Sequence, residues 1–236
     1  MVAIDDEKNE TNKKQKQKRR TRERELKNIL VCGTPGSGKS TLCEALLLKL
    51  NDHGGRKGAA IENRKKRTKK AKKTEKDDDD DDDDDKKYQL IDISDIVKQN
   101  KFYEEFDEQL DTYVINEDEV LDFLEPLVVP KGGLIVDYHS SEFFPERFFD
   151  LVIVLTCDNT ILYERLAKRE YTQMKIMKNI ECEIFGECVE EAKESYREEI
   201  VFVRKNETVE QMEDTISFIC KELLLGGAHG LVERVE

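Results

Sequence analysis

One stretch limits what this chain can become. Ile29-Leu30-Val31-Cys32 runs into Gly33-Thr34-Pro35-Gly36-Ser37-Gly38-Lys39-Ser40-Thr41, a G-x-x-x-x-G-K-[ST] pattern, and then into Leu42-Cys43-Glu44-Ala45-Leu46-Leu47-Leu48. The spacing predicts a buried strand, a glycine-rich turn and a helix start. Glycines let the backbone curl so that successive N–H groups face inward, where they cradle phosphate oxygens at a helix N-terminus. In that arrangement Lys39 reaches the β and γ phosphates of a bound nucleotide, and the Ser40 hydroxyl ligates Mg²⁺. The bland alternative is a turn with a solvated lysine; the strand before it and the helix after it argue against that.

Charge divides the chain. Of its 40 basic and 53 acidic residues, 1–27 hold ten and six, and 56–87 hold thirteen and eleven. The remaining 177 residues carry 17 basic and 36 acidic groups, a poor surface for neutralising nucleic-acid phosphates. Any RNA contact falls to the basic segments or to a protein partner. Residues 1–27 read as a disordered basic arm, either a nuclear address with nonspecific RNA contact or a solvated extension. Residues 52–87 read as a disordered insertion, a basic block at 64–73 followed by the nine aspartates 77–85. The six cysteines form no C-x-x-C pair and read as reduced core or helix residues, with zinc as the lesser alternative. No apolar run approaches the roughly 18 residues of a membrane span.

After the insertion, Tyr88–Asp92 reads as a short strand and Ile93–Val97 as a helix start. Residues 102–113 are acidic and aromatic, without a settled element. Glu117–Val129 has apolar residues at helical spacing, and Leu134-Ile135-Val136-Asp137 and Leu151–Thr156 are apolar strands. Asp158 caps a helix over 159–168, a polar stretch follows at 169–178, and a long helix is expected over 179–198. Ile200–Val203 is the last strand, and Thr208-x-x-Gln211 is a capping box for a helix to about 225. Strands alternating with helices imply a parallel α/β sheet, with ligands at the carboxyl ends of its strands.

Asp137, at such an end, is the candidate second magnesium ligand. His139 either positions a water or acceptor group or is a hydrogen-bonded structural histidine. Arg165 and Arg169 share a helix face and are candidates for the transferring phosphoryl group; ion pairs with Glu164 or Glu170 are the alternative.

Five motifs occur in order: the glycine-rich loop, Ile135-Val136-Asp137-Tyr138-His139, Phe143-Phe144-Pro145-Glu146-Arg147-Phe148, Leu162-Tyr163-Glu164-Arg165-Leu166-x-x-Arg169-x-Tyr171, and Asn179-Ile180-x-Cys182-Glu183-Ile184-Phe185. Over about residues 28–225 the set resembles the adenylate kinase isoenzyme 6 family, small nuclear adenylate kinases with ATPase activity. The resemblance implies a P-loop NTPase fold of the nucleoside monophosphate kinase type, with a five-stranded parallel sheet. It also implies Mg-dependent phosphoryl transfer between ATP and AMP, and a place in nuclear adenine nucleotide balance. Further implications are small-subunit maturation at the 18S pre-rRNA 3′ end, a small-subunit ribosomal protein and the pre-40S particle as partners, and residence in nucleus and cytoplasm. By position, Lys39, Asp137, His139, Arg165 and Arg169 are its catalytic residues. Gly36, Ser37, Gly38, Lys39, Ser40 and Thr41 hold the ATP phosphates, and Arg169 opens a lid at about 168–178 and contacts ATP. Asp95 is the acid of an AMP segment at about 92–116. Here Ser94 replaces an expected glycine, Glu104-Glu105 replaces an Asp-Gly pair, and residues 88–119 hold no arginine.

The same residues also suit an assembly module whose nucleotide cycle is a conformational switch, or a kinase for a non-nucleotide metabolite. Acceptor preference among AMP, dAMP and CMP is not set by these motifs.

Overall fold

The computed structural model describes residues 24–52, 87–108, 112–128 and 132–224. Five parallel strands form one sheet: β1 (Ile29–Cys32), β2 (Gln89–Asp92), β5 (Leu134–Asp137), β6 (Leu151–Thr156) and β7 (Val201–Lys205). Their order is β2-β5-β1-β6-β7, so the strand carrying the glycine-rich loop is central, with β5 beside it. Ile29, Leu30 and Val31 pair with Ile135, Val136 and Asp137, which brings Cys32 and Asp137 to the same edge of the sheet.

Alternation along each strand divides the core in two. Leu30, Cys32, Val136, Val152 and Val154 face α2 (Ile93–Asn100), α3 (Glu117–Val128) and α6 (Glu187–Ser195). Ile29, Val31, Ile135, Ile153 and Leu155 face α1 (Lys39–Asp52) and α7 (Val209–Leu224). Both faces are covered, which is why these strands read as unbroken apolar runs. A third, smaller core holds Cys157, Leu162, Leu166, Ile176 and Ile180, between α4 (Asn159–Ala167) and α5 (Gln173–Phe185).

Three local expectations change. The acidic, aromatic stretch is an antiparallel hairpin, β3 (Tyr103–Asp107) and β4 (Thr112–Ile115). The ring of Tyr113 lies 4.4 Å from that of Tyr103 and 4.9 Å from that of Phe106. A register shift between Tyr103 and Glu105 interrupts the alternation by which a strand would have been recognised. The polar stretch at 169–178 is largely helical: Thr172 caps α5 by accepting from the Lys175 N–H at 3.2 Å. The single long helix is two, broken at Gly186. There φ is +66°, and the Gly186 N–H closes onto the carbonyls of Cys182 and Glu183 before α6 restarts.

The ordered domain also starts before residue 28. Arg24 donates to Asp150 Oδ2 at 2.7 Å and to the Phe148 carbonyl at 3.1 Å. Asn28, wholly buried, donates from its amide to the Val128 and Phe148 carbonyls and accepts from the Leu134 N–H. The rest of the basic arm (1–23), most of the insertion (53–86) and the tail (225–236) lie outside the described residues. Among the described residues no helix is long and apolar enough to cross a membrane.

At the base of the insertion the Asn51 side chain bonds both backbone groups of Tyr88, accepting from its N–H at 2.9 Å and donating to its carbonyl at 3.0 Å. The ends of the insertion are therefore tied together within the domain. Replacing residues 53–86 by a short Gly-Ser linker is expected to move the thermal transition by no more than about 4 °C, because closure entropy varies only logarithmically with loop length. A larger fall in a calorimetric scan would show that the insertion supports the fold.

Candidate active site

A loop that offers its N–H groups to a ligand must have its shape held from outside. Gly33 has φ of +135°, and a Cβ there would collide with the Leu155 carbonyl, so the loop lies against β6 as only glycine allows. The Gly33 N–H donates to the His139 carbonyl at 3.2 Å, tying the loop to the segment after β5. Three side chains hold the loop's carbonyls and hydroxyl. Arg165 donates to the Gly36 carbonyl at 3.3 Å, and to those of Asn206 and Glu207 at 3.0 and 2.9 Å. Asn206 donates to the Ser37 carbonyl at 2.8 Å. Glu183 accepts from the Thr34 hydroxyl at 2.5 Å and from the Cys157 N–H at 2.8 Å.

Within this frame Lys39 is half-buried, with its ammonium donating to the Gly33 and Thr34 carbonyls at 2.8 and 3.3 Å. Burial pulls its pKa below the ordinary lysine value, while the Asp137 carboxylate opposes the shift. Asp137 is 5% exposed, and burial raises its pKa above the usual carboxylate range. A hydrogen bond from Ser40 and the charges of Lys39 and Arg169 oppose that shift, and the charge of Asp92 adds to it. The structure thus brings Lys39, Ser40 and Asp137 together, with Arg169 within electrostatic reach of both Lys39 and Asp137.

The other candidates lie around this centre. Ser37 is buried, and its hydroxyl has no protein partner. Gly36 and Gly38 complete the loop, and Thr41 is exposed at the start of α1. Arg169 is exposed just past α4, next to Glu170, whose φ of +59° turns the chain toward α5. His139 is open to solvent on one side, with its ring 4.2 Å from that of Tyr138. Crowding by the protein and the Lys39 charge lower its pKa to about 4, so it is neutral near pH 7. Arg165 differs from the expectation of direct phosphate contact: its guanidinium is engaged by loop carbonyls, and it positions the loop. Asp95 is exposed in the first turn of α2, its N–H bonded to Asp92 Oδ1 at 3.2 Å, and is set apart from the Lys39 group.

Asp92, Asn206 and Thr34 were not singled out from the sequence. Asp92 pairs in register with Asp137 at the ends of adjacent strands. Its signal was available, since Leu90-Ile91-Asp92 repeats the apolar-apolar-acid ending of Ile135-Val136-Asp137. Asn206 follows β7 and carries no motif. The donor set of Ser40 hydroxyl and Asp137 carboxylate, with the Asp92 carboxylate close by, fits a hard divalent cation such as Mg²⁺. Among the described residues no group of three His, Cys, Asp or Glu side chains could hold a metal ion. Such a sparse protein set suits Mg²⁺ that is bound mainly by phosphate oxygens and water.

The sequence matches the AAA domain family over residues 29–186. It is 41% identical over 181 residues to a Drosophila melanogaster protein named adenylate kinase isoenzyme 6 homolog, covering 77% of this chain and 82% of that one. It is 39% identical over 199 residues to the Caenorhabditis elegans protein of the same name, covering 84% and 90%. Among solved structures it is similar to a shikimate kinase from Bacteroides thetaiotaomicron, with 15% identity, a TM-score of 0.48, and 85% of this chain and 99% of that one covered.

Two measurements test this geometry. Arg165→Met is expected to raise KM for ATP about tenfold, the effect of roughly one lost charged hydrogen bond, with a smaller change in kcat. A fall in kcat with KM unchanged would place Arg165 on the reacting phosphoryl group instead. His139 is expected to titrate with a midpoint of about 4 by NMR. The unfolded chain takes up that proton near the ordinary histidine value of 6.5, and the folded chain does not. Stability is therefore lost as pH falls through that interval and is unaffected above it. A midpoint near 6.5 would show the imidazole to be freely solvated.

Proposed function

The chain belongs to the adenylate kinase isoenzyme 6 family, and on that footing we propose that it transfers the γ-phosphoryl group of ATP to AMP, giving two ADP, and also hydrolyses ATP. The observation that carries this reading is the convergence of Lys39 and Ser40, at the start of α1, on the buried carboxylate of Asp137 at the end of β5. Phosphoryl transfer asks little covalent chemistry of the protein and much charge placement. Ser40 and Asp137 are the residues that would hold a magnesium ion, which when bound would neutralise phosphate oxygens. The backbone N–H groups of Gly36 and of Gly38 to Thr41 receive the phosphates, while the Ser37 N–H closes the turn onto the Thr34 carbonyl at 3.0 Å. Lys39, tied to the Gly33 and Thr34 carbonyls, turns its ammonium to the β and γ oxygens. The incoming negative charge offsets the burial that lowers its pKa. Arg169 swings in from the lid as the phosphoryl group separates. Neutral His139 can accept a hydrogen bond from a water or an acceptor hydroxyl at the end of β5. Asp95 and the β3–β4 hairpin form the acceptor side.

We assign the cellular role to small-subunit maturation, with a small-subunit ribosomal protein and the pre-40S particle as partners, in nucleus and cytoplasm. The basic segments 13–22 and 64–73 support a nuclear address or RNA contact. A second reading, an assembly ATPase whose kinase activity is incidental, draws on the lack of arginine in residues 88–119, where an acceptor phosphate would need a cation.

A coupled assay separates the two. The expected result is ADP formation from ATP plus AMP well above phosphate release from ATP alone, with Lys39→Ala lowering both on the order of 10²–10³-fold. If AMP adds nothing while a small-subunit ribosomal protein raises hydrolysis, the ATPase switch replaces the kinase. Unchanged turnover in Lys39→Ala would remove the site assignment altogether.

A further inference from the structure

Behind the phosphate loop, away from the side that receives phosphates, two thiols face each other. Cys182 Sγ, in the last turn of α5, lies 4.0 Å from Cys188 Sγ, in the first turn of α6. The helix break at Gly186 falls between them in the chain. Both sulfurs touch the loop residue Thr34, whose hydroxyl is 4.0 Å from Cys182 Sγ and 3.9 Å from Cys188 Sγ. Cys188 also donates to the His139 carbonyl at 3.5 Å, the same oxygen that accepts the Gly33 N–H. A small open pocket lined by Thr34, Cys182, Glu183, Gly186 and Cys188 gives a small oxidant a way in. Of the four other thiols, Cys32 and Cys43 are wholly buried on opposite faces of the sheet.

We propose that Cys182 and Cys188 form a peroxide-responsive disulfide that releases the phosphate loop's grip on nucleotide. The proposal rests on the loop being the ATP site. Cys182 holds its proton tightly, because that proton is shared with the Cys188 sulfur and burial adds to the effect. Cys188 is the attacking sulfur, and the proton it now donates to the His139 carbonyl leaves as it attacks. It attacks one oxygen of a hydroperoxide ROOH, the O–O bond breaks, and Cys188 becomes a sulfenic acid while ROH leaves with a proton. The Cys182 sulfur then attacks the Cys188 sulfur. The S–OH bond breaks, and hydroxide leaves as water with the Cys182 proton. Two thiols and ROOH give one disulfide, ROH and water, a two-electron oxidation of the pair.

Closing the sulfurs from 4.0 Å to about 2.05 Å draws both away from their present partners. Cys188 leaves the His139 carbonyl, and Thr34 loses the sulfurs packed under its hydroxyl. Thr34 in turn bonds Glu183, and its carbonyl holds Lys39. The bond also fixes α5 relative to α6 at Gly186, where α5 ends. Exchange with two external thiols, or one dithiol, returns both cysteines to thiols and leaves the reductant as its disulfide, so the state of the pair follows the thiol poise around it.

The test uses the full chain, reduced or treated with hydrogen peroxide, with ATP affinity measured by calorimetric titration and peptides by mass spectrometry. The expected result has three parts: a Cys182–Cys188 cross-linked peptide lacking two hydrogens, an ATP Kd raised about fivefold or more, and recovery with dithiothreitol. Cys182→Ser should lose the peroxide effect. If that variant responds to peroxide as wild type does, or if the cross-link forms and affinity is unchanged, the proposal falls. Absence of the cross-linked peptide also overturns it, whether or not Cys188→Ser folds. Failure of the reduced chain to bind ATP would instead count against the ATP-site reading, so the two failures are distinguishable.

Discussion

A phosphate-binding loop that presents its N–H groups to a ligand cannot also use them to hold itself together. Everything around residues 33–40 answers that constraint. The carbonyls of the loop are bound by Arg165 from α4, by Asn206 from after β7 and by the loop's own Lys39. Glu183 takes the Thr34 hydroxyl from the far end of α5. These partners come from four parts of the chain, and only the parallel sheet brings them to one edge. The burial of β1 between β5 and β6 is what holds that edge in place, so apolar packing in the interior and anion recognition at the rim depend on each other.

The electrostatics follow from the same crowding. Asp137 is a buried acid beside a second acid in register on β2, and its charge is restrained by Lys39, Ser40 and Arg169. Lys39 is a cation whose own charge is disfavoured by burial. Each ion is poorly solvated by protein alone. A triphosphate with its cation would supply what both lack, which makes the site a preorganised one in the sense that its dipoles and charges already point where charge will arrive.

Much of this was legible in the residues. Ile29–Cys32, Leu134–Asp137 and Leu151–Thr156 announce buried parallel strands because both of their faces are apolar, and the glycine-lysine-serine spacing announces the loop. The hairpin at 103–115 was hidden by its register shift and by the acids Glu104, Glu105 and Asp107. The division of 173–195 into two helices turned on one residue, Gly186, which a helical pattern tolerates on paper. Arg165 shows a different kind of limit. Its position on the helix was readable, but the direction of its guanidinium depends on Asn206 and Glu207, some forty residues further on. Long-range hydrogen bonds to backbone carbonyls leave no trace in local spacing.

The small core between α4 and α5 has a mechanical meaning. Leu162, Leu166, Ile176 and Ile180 pack with one another and with Cys157, apart from the two large cores. Helix α5 thus carries its own keel. Its far end is moored through Glu183 to Thr34 and Cys157, while its near end joins α4 through a short turn at Glu170. A body supported in this way draws little of its packing from the sheet. The seating of α5 and the endurance of the fold are then governed by different residues, and natural variation can retune one while leaving the other alone.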